Sequence, residues 1–153
     1  MTTTSSEVKT PGAVGARRFG FVVAIAVNVV MLVIVNNIVE WGWIPFLTDD
    51  FAEVVWLINL SLTASILANT AYIAYDPGWF KSMTQVGLNL ISIVVIVRMW
   101  QVFPFDFSRY QFDWETLLRL VLVLAVVGTG IGIVVELVNL VRSMTPNPAT
   151  RPE

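Results

Sequence analysis

The chain contains no cysteine and no histidine. The first absence removes disulfides, thiol redox chemistry and thiolate metal sites. The second removes imidazole ligands for zinc or haem and the commonest general base. Charge is scarce too: 13% of residues are charged, against about 25% in a typical soluble domain. A soluble protein of this size needs those groups to cover its outside, so their scarcity points to a solvent other than water. The net charge of −2 offers no basic field to a polyanion, and no nucleic-acid partner is expected. No cofactor is expected either.

What is present is apolar. Hydrophobic residues make up 56% of the chain, and its mean hydropathy is +0.75. They gather into four runs, each near the about 20 residues a helix needs to cross about 30 Å of hydrocarbon. The spans are expected at about 19–40, 54–75, 83–103 and 117–141, within a membrane domain of residues 17–142. Residues 1–16 and 143–153 lack apolar periodicity, carry Pro11, Pro146, Pro148 and Pro152, and read as disordered cytoplasmic tails. The runs do not alternate apolar and polar residues, as Ile93-Val94-Val95-Ile96-Val97 illustrates, so helices and not barrel strands are expected. Arg17-Arg18 before the first run invites comparison with a signal peptide. The run is too long for one and ends in Asn36-Asn37-Ile38-Val39-Glu40, with no small-residue cleavage site. The expected fold is an all-α integral membrane protein, a four-transmembrane-helix bundle.

Lys9, Arg17, Arg18, Lys81, Arg142 and Arg151 fall on the side of the termini, while Asp49, Asp50, Glu53, Asp106, Asp113 and Glu115 fall in the other loops. The positive-inside rule then puts both termini in the cytoplasm, N-in and C-in, in the plasma (inner) membrane. The two outer connections are aromatic and share the pattern Trp-x-x-apolar-Pro-Phe, at Trp41–Phe46 and Trp100–Phe105. That repeat suggests two duplicated helical hairpins. The rings suit an interfacial belt, or a docking surface for a lipid or a partner protein.

Polar residues inside the spans are the candidate site. Asn36 and Glu40 sit one turn apart near the outer end of the first helix. Asn69 belongs to a stripe with Ser61, Ser65 and Tyr72, and Asn89 to one with Gln85 and Ser92. Arg98 lies near the outer end of the third span, where it either snorkels outward or pairs with Glu40 at a similar depth. Gly128, Gly132, Glu136 and Asn139 share a face of the fourth. Gly128 and Gly132 form a small-residue packing seam; Glu136 bonds a cytoplasmic-side cation or acts as a protonatable relay. The mid-depth position of the first helix holds Asn28, not the carboxylate that a proton-coupled exporter of this size would carry there.

The simplest function is non-enzymatic: an accessory subunit or scaffold acting through helix–helix and outer-loop contacts. Its partners would be membrane lipids and either a second copy or another membrane protein. The alternative is a small oligomeric transporter or channel using the intramembrane Glu, Arg and Asn residues. A lipid-acting enzyme would need Asp106, Asp113 and Glu115 as its acids and bases.

Overall fold

The computed structural model describes residues 11–75 and 77–144. The described residues are almost wholly helical: α1 (Pro11–Trp41), α2 (Ala52–Ala74), α3 (Gly78–Val102) and α4 (Trp114–Met144), with a short 3-10 turn, Asp49–Phe51, leading into α2. All four are long and apolar enough to cross a membrane. The chain is therefore, by length and composition, a multi-pass helical membrane protein. Large apolar side chains lie exposed along every helix, among them Val27, Leu67, Leu90 and Ile131. Water would penalise such a surface; lipid does not.

Each helix begins before its expected apolar run. The expectation that residues up to 16 form a tail is corrected: α1 begins at Pro11, a residue favoured at the first helical position because its missing N–H has no partner to lose. The remaining N-terminal residues, Asp76, and the tail beyond Met144 lie outside the described residues. α3 starts at Gly78, and α4 runs from Trp114 to Met144, past both ends expected of it. At 31 residues, α4 is about 46 Å long at 1.5 Å per residue. Its start is fixed by Asp113, whose Oδ1 accepts the Thr116 N–H at 3.0 Å, an N-cap that satisfies one orphan donor of the first turn.

The ends of α1 and α3 are set differently. Gly42 turns α1 with φ +60, which costs a residue without Cβ little. Phe103 ends α3 in the left-handed conformation, φ 42, and donates its N–H to Met99 O at 2.9 Å. Pro104 follows and cannot continue the ladder.

Sequential helices pack: α1 on α2, α2 on α3, α3 on α4. Among the described residues α1 and α4 show no comparable pairing, so the row stays open between them. A two-fold relation between the hairpins would match the α2–α3 contact with an α1–α4 contact; the packing has only the first. Two small cores hold the row. Phe21, Ala68 and Tyr72 form one, with Phe80 and Leu88 against it. Val35, Phe51 and Val54 form the other, with Ile58, Met99 and Val102. Both join α1, α2 and α3. No residue of α4 is buried.

Candidate functional site

At the loop end, the two long connections meet. Leu47 and Phe105 form an antiparallel bridge, with Thr48 N–H donating to Pro104 O at 3.0 Å and Asp106 N–H to Phe46 O at 2.8 Å. The bridge gathers the rings of both segments: Phe46 lies 5.1 Å from Phe107 and 6.2 Å from Tyr110, and Phe105 stacks on Phe107 at 6.1 Å. Between this cluster and the first turns of α4 lies an apolar cavity of about 450 Å³, walled by Phe46, Phe107, Tyr110, Trp114 and Leu117.

Several charges at this end are engaged. Arg119 pairs with Glu115 at 3.0 Å, and its guanidinium lies 4.2 Å from the Phe103 ring centroid and 4.9 Å from that of Trp100. Asp106 accepts the Ser108 N–H at 2.9 Å. That bond, helped by the Ser108 hydroxyl and by Arg109, holds its carboxyl below the ordinary value. Asp113 is lowered likewise by the Thr116 hydroxyl and N–H. These carboxylates shape turns and cap a helix. Among the described residues no group of acidic side chains is arranged to hold a metal ion.

Within the spans, the Glu40–Arg98 pair expected from depth is corrected. Arg98 binds Glu53, Nη2 to Oε2 at 2.9 Å, and Glu40 is exposed at the end of α1. The cause is lateral: α2 packs against α3, whereas α1 reaches α3 only through the shared core. Glu53 opens α2 and α3 runs antiparallel to it, so its carboxylate meets the arginine from the adjacent helix. In the sequence Glu53 falls just before the apolar run of α2, although an acidic residue in a first helical turn is a recognised signal.

Asn36 finds a partner the sequence did not name. Its amide and that of Asn59 exchange two hydrogen bonds across α1 and α2, both 2.9 Å, and Asn36 also donates to Leu32 O at 2.7 Å. Most other intramembrane polar groups bond one turn back on their own helix. Asn69 donates to Ser65 O at 2.8 Å, Asn28 to Ala24 O at 2.7 Å, and Thr129 to Ala125 O at 2.8 Å. Asn89 accepts from Gln85 at 3.5 Å.

The glycine seam divides. A Cβ on Gly132 would meet Asn89 Nδ2 at 3.3 Å, whereas one on Gly128 would meet nothing within 4 Å. Within the chain the close approach of α4 to α3 thus belongs to Gly132 and not to the pair. Four residues advance a helix by about 400°, so Gly128 lies about 40° round from Gly132, enough to turn it off the contact.

Glu136 and Asn139 come together at the opposite end, in a cavity of about 320 Å³ where the end of α4 passes the start of α3. From α3 it receives Lys81, Ser82 and Gln85, and its wall carries no aromatic ring. Lys81 Nζ lies 5.0 Å from the Phe21 ring centroid and 5.7 Å from that of Tyr72. Ser82 is 7% exposed. Of the residues singled out from sequence, this cavity unites Glu136 with Asn139. Asn36, Asn69, Asn89, Glu40 and Arg98 are distributed elsewhere. Comparison with protein-family models, with curated proteins and with solved structures found no match for this chain.

Proposed function

We propose that this chain is a non-enzymatic multi-pass protein of the plasma membrane, with both termini cytoplasmic, that serves as an accessory subunit or scaffold for another membrane protein. One observation carries the reading: outside the cavity at Glu136, polar side chains within the spans bond to one another or to their own helix, as Asn36–Asn59, Asn69 and Arg98–Glu53 do. A conduction path needs polar groups turned toward a shared lumen. Here they fasten helices. The open row leaves α4, packed chiefly on α3, with an apolar face for a partner to cover. The aromatic cavity beside its first turns extends that face into the loops.

The orientation rests on the distribution of Lys and Arg. The duplicated-hairpin reading rests on the shared Trp-x-x-apolar-Pro-Phe pattern and on the antiparallel meeting of those segments at Leu47 and Phe105. An enzyme is disfavoured because its candidate acids, Asp106, Asp113 and Glu115, are engaged in a turn, a cap and an ion pair.

A photoreactive residue placed at Leu124 or Ile131, exposed on α4, tests the proposal in the native membrane. It should crosslink to one protein of a different sequence, while the same probe at Leu67 of α2 should not. Crosslinking only to lipid from every position would overturn the reading. A small oligomeric transporter is the second reading, favoured by the charged cavity around Glu136; loss of solute flux in a folded Glu136→Gln variant would select it.

A further inference from the structure

We propose that the cavity between the start of α3 and the end of α4 binds the headgroup of a phospholipid bearing both a phosphate and a primary ammonium, the ethanolamine type. The inference goes beyond the accessory role and does not depend on it. A cation and a carboxylate, Lys81 and Glu136, line one cavity of about 320 Å³. Among the described residues they do not join in an ion pair; the pairs there are Arg98–Glu53 and Arg119–Glu115. Two opposite charges near a membrane interface gain most from meeting each other. Held apart, they match a ligand that carries the two opposite charges a few bonds apart.

The remaining wall fits the same ligand. Lys81 Nζ lies over the Phe21 and Tyr72 rings, which leaves its charge unneutralised. Ser82 beside it is 7% exposed and lines the cavity. Its hydroxyl is able to donate to a phosphate oxygen. Pro77, the N-cap of α3, makes no side-chain cap bond, so the first N–H groups of that helix face the same end. On the other side, Glu136 lines the cavity together with the amide side chains of Asn139 and Gln85, whose oxygens can accept from an N–H donor.

This composition separates the candidate headgroups. A primary ammonium donates three hydrogen bonds and suits a carboxylate with amide oxygens. A quaternary choline donates none and is recognised by aromatic faces, and no ring lines this cavity. A headgroup with a phosphate alone would leave Glu136 facing an anion. The lipid is favoured over a free zwitterion by depth and surroundings. Lys81 is in the first turn of α3, and Met83 and Val138, next in sequence to the lining residues Ser82 and Asn139, are exposed and offer apolar contact to acyl chains.

The test uses the full chain in nanodiscs of choline lipid containing equal fractions of ethanolamine lipid and anionic glycerol lipid. Lipids that remain bound after release are identified by native mass spectrometry. Retention of ethanolamine lipid at least about tenfold above choline lipid, a difference of about 1.4 kcal/mol, is expected. Glu136→Gln should bring that ratio close to one while phosphate-bearing lipid is still retained. Lys81→Gln should lose retention of both classes, and Ser82→Ala, which keeps both charges, should weaken it several-fold should Lys81→Gln fail to fold. Glu115→Gln, at the other end of α4, should change nothing. Equal retention of choline and ethanolamine lipids, a preference for the anionic lipid, or an undiminished preference in folded Glu136→Gln would each overturn the proposal. Displacement of the lipid by soluble phosphoethanolamine at submillimolar concentration would also overturn it, by identifying a free zwitterion as the ligand.

Discussion

Replacing Asn36 by Leu breaks a reciprocal contact whose magnitude can be worked out. The Asn36 and Asn59 amides exchange two bonds of 2.9 Å between α1 and α2. Interhelical hydrogen bonds in membranes average about 0.6 kcal/mol each, with a maximum near about 1.7 kcal/mol. The pair should therefore contribute about 1.2 kcal/mol to the packing of α1 on α2. The two single variants should not be equal. Asn59→Leu leaves Asn36 its bond to Leu32 O at 2.7 Å. Asn36→Leu leaves the Asn59 amide with no bond among those of the described residues, in lipid, where water does not replace it. Asn36→Leu should thus cost more, and Asn36→Leu/Asn59→Leu should cost less than the sum of the singles by about 1 kcal/mol. Reversible unfolding in mixed micelles, titrated with a denaturing detergent and followed by interhelical energy transfer, measures all four corners of the cycle. Losses additive to within about 0.3 kcal/mol would refute the reasoning.

The remaining predictions concern helix approach, the ion pair and the loops. Gly132→Leu should force α4 away from Asn89 and destabilise by about 1–3 kcal/mol, as overpacking does. Gly128→Leu should be near neutral in the isolated chain, and the same unfolding assay reads both. Glu53→Gln and Arg98→Gln should each cost less than about 1 kcal/mol, because the pair is partly exposed and competes with solvent and headgroups. Glu40→Gln should leave Arg98 unaffected, as seen by salt-dependent unfolding of the three variants. Asp106 and Asp113 have folded pKa values below the ordinary 3.8. Their contribution is therefore complete above 3.8 and lost as pH falls through the lower folded values. Trp114 fluorescence should report loosening of the loop and the α4 start only in that acid range, and Asp113→Asn should weaken the response.

The spans were legible because a run of about 20 apolar residues has few other uses. The ends were less so. Hydropathy stops where the interface begins, but backbone hydrogen bonding does not, and α1 and α3 continue into residues such as Pro11 and Gly78. Position along the helices was legible too: Glu40, Glu53 and Arg98 all lie toward the ends of their helices that the two long connections join. What hydropathy could not supply was azimuth. Helices apolar all round do not reveal which neighbour each face meets, so Arg98 was matched with the carboxylate of α1 when the adjacent helix, α2, presented Glu53. The same blindness joined Gly128 to Gly132. The aromatic repeat around Pro45 and Pro104 was visible in sequence. Its backbone bridge at Leu47 and Phe105 was not, because one bridging pair has no pattern to detect.

The accessory-subunit account is tested most directly by purifying the tagged full chain from its native membrane in mild detergent and determining the stoichiometry of what remains bound. A different membrane protein held at a fixed ratio, released when charged residues replace Leu124 and Ile131 on the exposed face of α4, is the predicted result. A homo-oligomer without any other protein, whose solute flux disappears in folded Glu136→Gln, would contradict the account.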